Sequence, residues 1–358
     1  MQETSHSDIR KISSLSRWTI DRREQEPFTY WGASPAQARS CAVAKKKGLY
    51  DKRTTMKKAV GRYLRDGINI GIGGFVNTRT PVAIVHEIIR QGALDLTLSF
   101  QSNSICAELL AGAMILDPDH LSIRRIELAW CGYEIIGLAP LFRYLTANGL
   151  IELDDYTNYG MAARFKAGAM GVPFLPTRDH GGSDMELANR GKMTTCPFSG
   201  DNVYLVPACH PDLGIVHVQA ADMYGNSRIF GALCTCPEIA QASVNTIVTA
   251  EQIIASDAIR KHPNLTEIPY PVVDAVVHQP FGATPGACYG NYWFDMEYIR
   301  NFREICEDFR TTGNKNKLRD FYDKHIFDVD FDEFLDQKPY PVLQELCRQD
   351  GDQPIIMD

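Results

Sequence analysis

The chain has 358 residues, 44% of them hydrophobic and 23% charged, which suits one large or two modest domains and is unlike a fibrous or disordered chain. Its formal charge is −7 and unevenly spread: residues 1–53 hold 11 Lys/Arg against 6 Asp/Glu, the remainder 26 against 38. An acidic body argues against nucleic acid as a partner, and neither a run of ~18 apolar residues nor the apolar stretch of a secretion signal is present, so a soluble cytoplasmic protein with no membrane partner is expected.

Residues 1–50 show no sustained period and read as an N-terminal extension, ordered only in part, with Trp18, Tyr30 and Trp31 as packing residues and Lys45-Lys46-Lys47 before Gly48. Residues 56–66 place Met56, Val60, Tyr63 and Leu64 on one helical face and stop at Asp66-Gly67. Strand-like runs follow at 68–75, 95–100, 123–130, 202–208, 214–221, 245–253 and 273–283. Helical patterns at 81–92, 105–114, 141–150 and 159–171 lie between most of them. This alternation predicts an α/β fold with a mainly parallel sheet and helices on both faces. Residues 295–337 read as amphipathic helices, a helical C-terminal appendage. The expected boundaries are an extension over 1–50, one domain over 51–340 and a tail over 341–358.

The ten cysteines are scattered, several inside apolar runs, and read as reduced core residues. Cys234 and Cys236 form C-T-C, which lacks the spacing of a zinc or redox site, so no metal is expected. His217 and His278 lie in apolar runs and read as core histidines, Asp154-Asp155 as a polar turn, and Glu304, Glu307 and Asp308 as helix-face charges.

The stretch DGINIGIGGFVNTRTP (66–81) runs from a polar turn through an apolar strand to paired glycines. A dinucleotide fingerprint fails because Val76 stands where the third glycine belongs, and a P-loop fails because no Gly-Lys-Ser/Thr follows. Ligands of α/β sheets sit beyond the carboxyl ends of strands, so Gly73 and Gly74 predict main-chain N–H groups facing a ligand.

The string D-G-x-x-x-x-x-G-G-F-x-x-x-x-x-P resembles the N-terminal signature of the family I CoA-transferases, with Gly71 in the apolar triplet and Arg79 in place of a glycine as departures. Arg79 resembles the A subunit of the glutaconate CoA-transferase branch. So do HEIIRQGALDLTL (86–98), GVPFLPTR (171–178), IVTAEQII (247–254), VDAVV (273–277) and PFGATPGACYGNY (280–292). The resemblance implies the CoA-transferase (NagB/RpiA-like) fold. It also implies a substrate and CoA-binding surface at Gly73, Gly74, Phe75, Arg79, Ser102 and Asn103, with Gly181, Gly182 and Ser183 as a second wall.

In that family a glutamate attacks the acyl-CoA carbonyl and passes through an anhydride to a glutamyl-CoA thioester, which a second acid opens. No bound cofactor is implied, because the coenzyme A thioester is itself a substrate, alongside a carboxylic acid. The glutamate lies in a Ser-Glu-Asn-Gly motif on the B subunit. The nearest segment here is FQSNS (100–104), with Asn103 at the nucleophile position. No catalytic residue is therefore assigned to this chain, and a partner B subunit is expected to carry the glutamate. Two alternatives stand beside this. In related ring-opening hydrolases of steroid catabolism, the A subunit carries a glutamate before the P-F-L-P segment. Asn158 or Tyr159 stands there, and a shift of a few residues brings in Asp154 or Asp155. A ligand-sensing module of sugar-responsive regulators would need a DNA-binding helix-turn-helix, and none is evident.

Overall fold

The computed structural model describes residues 28–350, so the packing role anticipated for Trp18 lies outside the described residues. The strands are β1 (Asn69–Ile72), β2 (Ala93–Ser99), β3 (Leu121–Leu128), β4 (Glu152–Asp155), β5 (Phe174–Thr177), β6 (Lys192–Thr195), β7 (Asn202–Pro207), β8 (Leu213–Ala221), β9 (Ser227–Arg228), β10 (Asn245–Ile253) and β11 (Ala275–His278). The helices are α1 (Pro35–Ala44), α2 (Met56–Tyr63), α3 (Val82–Gln91), α4 (Ile105–Leu116), α5 (Pro140–Ala147), α6 (Asn158–Met170), α7 (Cys236–Ala242), α8 (Ser256–Lys261), α9 (Met296–Thr312), α10 (Asn316–Tyr322), α11 (Phe331–Asp336) and α12 (Tyr340–Asp350).

The main sheet has the order β11-β10-β8-β1-β2-β3-β4, every neighbouring pair parallel, with β9 antiparallel to β8. Strands β1 to β4 step outward in one direction and β8, β10 and β11 in the other, so the winding reverses between β1 and β8. Such a reversal opens a crevice at the carboxyl ends of the two strands. A separate antiparallel sheet, β5-β7-β6, lies to one side.

Side chains alternate between two cores, as the two-residue repeat of a strand requires. Ile70, Ile72, Ile215 and Ile247 pack with Val60, Leu110, Phe302 and Phe321, which brings α2, α4, α9 and α10 onto one face. Val216, Val218 and Val248 pack with Phe165, Ile239 and Tyr204, which brings α6, α7 and the small sheet onto the other. Strand β8 is buried along its whole length, which explains why its run is apolar without interruption. The C-terminal appendage forms as its periodicity predicts: Asp295 caps α9 through the Tyr298 N–H (3.0 Å), and Gly313 closes it at φ +71°.

Three local readings are corrected. Helix α1 forms where no apolar stripe exists; a capping box between Ser34 and Gln37, with Pro35 at the first position, specifies it instead. Asp154-Asp155 ends strand β4 and is no turn, because Arg190 neutralises Asp154 at 2.7 Å within the interior. His217 is a core histidine as expected, but His278 ends the edge strand β11 and is exposed.

Candidate active site

Beyond the carboxyl end of β1, residues 73–80 form a loop with three left-handed positions: Gly74 at φ +85°, Val76 at +53° and Arg79 at +49°. A β-branched residue in that region is strained, and the surroundings must over-determine it. They do so through main-chain bonds. Phe75 and Thr78 exchange N–H···O bonds of 2.9 and 2.8 Å, Val76 N–H donates to Ser102 O at 2.9 Å, and Arg79 N–H donates to Ala287 O at 2.7 Å. The segment 280–292, one of those that carry the family resemblance, thus braces this loop.

The two glycines make room for protein as much as for ligand. A Cβ on Gly73 would stand 2.7 Å from Val216 Cγ1, and one on Gly74 would stand 2.8 Å from the Arg79 carbonyl oxygen. Their N–H groups are engaged, Gly73 with Ile215 O at 2.9 Å and Gly74 with Cys236 Sγ at 3.1 Å. The expectation of free paired donors is therefore corrected: β8 and α7 reach these amides first.

Arg79, expected on the substrate and CoA-binding surface, is fully buried. Its Nη2 donates to the Ala232 and Leu233 carbonyls, and the Cys236 and Cys234 thiols lie beside the guanidinium. It lends positive charge from beneath the loop and does not reach into solvent. Asn103 is also buried and committed at both ends: Nδ2 donates to Gly73 O (3.2 Å), and Oδ1 accepts from Cys106 N–H (3.0 Å) at the start of α4. It staples the β1 loop to the β2 loop. Ser102 Oγ donates to Asn158 Oδ1 at 3.3 Å. Phe75 is half-buried and, alone among the side chains expected at the β1 and β2 loops, is not fully buried.

The second expected wall stands apart. Gly181, Gly182 and Ser183 are exposed, and their loop is linked to the first by hydrogen bonds at the N-terminal turn of α6. There Asp179 accepts from the Thr157 hydroxyl, and Asn158 contacts Gln101 and Ser102. His180 is buried, stacked on Tyr204 with centroids 4.6 Å apart, and its Nε2 has no partner. The loop is rooted by Arg190, whose Nε meets Asp154 (2.7 Å) and whose Nη2 meets Glu127 (3.2 Å). Glu127 also pairs with Arg164 at 2.6 Å and accepts from Ser99 at 2.6 Å. Burial works against its ionisation, but the Arg164 and Arg190 guanidiniums and the Ser99 hydroxyl bring the carboxyl down to about 2.

Two residues to which the sequence assigns no role at this loop complete its frame. Cys236 holds the Gly74 amide; the C-T-C pattern carried no sign of that. Glu251 accepts from His217 Nε2 (2.6 Å), Tyr292 Oη (2.6 Å) and Phe281 N–H (2.8 Å), anchoring the 280–292 segment. His217, Glu251 and Cys288 offer ligand atoms within 4.8 Å of one another. The His217–Glu251 separation of 2.6 Å is that of a hydrogen bond and shorter than two ligands of one ion allow.

Among the described residues, Asn77 Oδ1, Gln101 Oε1, Trp130 Nε1, Thr235 Oγ1 and Thr284 Oγ1 are buried without a hydrogen-bond partner within the chain.

Residues 53–279 match the family model described as coenzyme A transferase. Among known relatives, the A subunit of glutaconate CoA-transferase from Acidaminococcus fermentans is 32% identical over 309 residues, covering 79% of this chain and 90% of the relative. The crystal structure of glutaconate coenzyme A-transferase from that organism superposes with a TM-score of 0.75 at 30% identity, covering 82% of this chain and 95% of that one. An uncharacterised Archaeoglobus fulgidus protein is 35% identical over 82% of this chain, which spans only 63% of that relative's length. More distant is the cholesterol ring-cleaving hydrolase IpdA subunit of Rhodococcus jostii, 27% identical over 71% of this chain and 86% of its own.

Proposed function

The chain belongs to the coenzyme A transferase family, and on that premise we propose that it is the A subunit of a two-subunit enzyme moving coenzyme A between an acyl-CoA and a carboxylic acid. The attacking glutamate comes from a partner B subunit. The observation that carries this reading is Asn103. At the family's nucleophile position stands a carboxamide with both ends hydrogen-bonded inside the protein, unable to form an anhydride. The buried carboxylates nearby are already paired, Glu251 with His217 and Glu127 with Arg164.

The chemistry then divides between two chains. The partner's carboxylate attacks the thioester carbonyl, the tetrahedral oxyanion collapses with departure of the CoA thiolate, and an acyl-glutamyl anhydride forms. The thiolate attacks the glutamyl carbonyl and releases the first acid; the second acid reverses the sequence. Each step exchanges one activated acyl group for another, so the enzyme's task is positioning, exclusion of water and support of the oxyanion. This chain supplies the rigid floor: the Gly73–Thr80 loop, the buried Arg79 charge beneath it and the half-buried Phe75. Ser102 and the Gly181–Ser183 loop line the approach for the acyl group and the acceptor acid. Ten free cysteines, six of them buried, fit a reducing cytoplasmic setting.

A ring-opening hydrolase reading needs a carboxylate on this chain near the start of α6. Asn158 and Tyr159 stand there, and Asp154 is locked to Arg190. Asp155 at the end of β4 is raised to about 6 by burial and by Asp154, and nothing pairs it with a substrate path. The transferase reading is therefore preferred.

The test is co-expression with the candidate B subunit, incubation with an acyl-CoA, and trapping with borohydride or hydroxylamine. A modified glutamate mapped by mass spectrometry to the partner supports the proposal; a hydrolysed product with no trapped thioester on either chain overturns it.

A further inference from the structure

At the opposite pole from the glycine loop, near the amino ends of β8 and β10, a cleft of about 410 Å³ opens between α1, the end of α6 and the residues preceding those strands. Its size is that of a small-molecule pocket. Three cations line it, Arg39, Lys45 and Lys47, and no Asp or Glu does so among the described residues. This is a concentrated positive site on a protein of net charge −7. Lys45 is partly neutralised by Asp274 at 2.7 Å. Arg39 donates one N–H to Gly171 O at 3.2 Å and, among the described residues, is exposed, as is Lys47. Small walls at Gly168 and Ala38 leave room, and Met170 and Pro271 supply an apolar surface.

The cleft also contains His210, 4% exposed, whose Nδ1 lies 3.2 Å from the Ala242 carbonyl. That contact places the hydrogen on Nδ1 and leaves Nε2 an acceptor without a protein partner. Burial, opposed by the Ala242 bond and reinforced by Arg39, holds its pKa below the usual value, so the ring is neutral near pH 7. A ligand suited to this lining carries phosphate charge for Arg39 and Lys47, a hydroxyl for His210 and an apolar ring system for Met170 and Pro271. Helix α1 and the lysine run precede residues 53–279, so the cationic wall of this cleft lies outside the residues matched by the family model, while His210, Met170 and Pro271 lie within them.

We propose that this cleft binds a nucleoside phosphate, with its phosphates on Arg39 and Lys47, independently of the thioester site.

The experiment titrates ATP, adenosine and inorganic pyrophosphate into the full chain by calorimetry at 50 and 300 mM NaCl. The proteins are wild type, Lys47→Glu and the double variant Arg39→Glu/Lys47→Glu. Both positions are exposed, and circular dichroism verifies folding. The proposal expects saturable ATP binding that weakens at high salt, a loss of at least about tenfold in the double variant and a smaller loss for Lys47→Glu. Adenosine and pyrophosphate should each bind at least about tenfold more weakly than ATP. It is overturned if ATP fails to bind, if the folded double variant binds ATP as well as wild type, or if pyrophosphate binds as tightly as ATP.

Discussion

The loops 73–80 and 179–184 look alike in sequence, each a glycine pair after a short strand, yet the protein uses them differently. In the first, both glycines are buried and each missing Cβ is replaced by another part of the chain, Val216 against Gly73 and the Arg79 carbonyl against Gly74. In the second, Gly182 sits at φ +79° with nothing within 4 Å, and Gly181 has only a carbonyl at 3.5 Å. One loop is shaped by close approach, the other by turn geometry alone.

The sharpest way to break this contrast is at the root of the outer loop. Glu127→Ala removes the carboxylate that holds Arg164 and Arg190 and should cost about 3–5 kcal/mol in urea unfolding, because the buried Arg164 guanidinium loses its counter-charge and Arg190 is left with Asp154 alone. A loss under about 1 kcal/mol would mean that the outer loop has no such anchor. The same carboxylate sets a pH dependence. Its folded pKa, about 2, lies below the ordinary value of 4.5, so its contribution is fully present above about pH 4.5 and is lost as pH falls toward 2. In Glu127→Gln that acid-side slope should flatten, as read from unfolding free energies between pH 2 and 5.

Next in size is Gly74→Ala, which adds both a left-handed φ penalty and a backbone clash and should cost about 3 kcal/mol by chemical denaturation. Asn103→Ala leaves the Gly73 carbonyl and Cys106 N–H without their side-chain partner and should cost about 2 kcal/mol. Smaller again is Gly182→Ala, about 1 kcal/mol from φ alone. Comparable losses at Gly74 and Gly182 would erase the distinction between the loops. For Ser183→Ala we expect a stability change under about 0.5 kcal/mol and a raised KM for the acyl-CoA, which separates a binding role from a structural one.

Much of the architecture was legible because it is written locally. The apolar runs of β1, β8 and β10 and the periodic faces of α3 and α9 require only their own neighbours, and a glycine pair at a strand's carboxyl end marks a loop of special geometry. What escaped depends on partners distant in sequence. The burial of Arg79 follows from carbonyls at Ala232 and Leu233, separated from it by 153 and 154 positions. The engagement of the Gly74 amide by Cys236 and of Glu251 by His217 and Tyr292 is of the same kind. Strand β4 was obscured because Glu-Leu-Asp-Asp suggests a solvated turn until Arg190 is seen beside it. Helix α1 was missed because its specification lies in a cap and not in an apolar stripe.

The division of labour between two chains is tested most directly by assaying the purified chain alone for transfer of CoA from an acyl-CoA to an isotopically labelled carboxylic acid. The account predicts no exchange above the uncatalysed background, and its appearance once the glutamate-bearing partner is added. Sustained exchange by the chain alone, undiminished by Gly74→Ala, would contradict it.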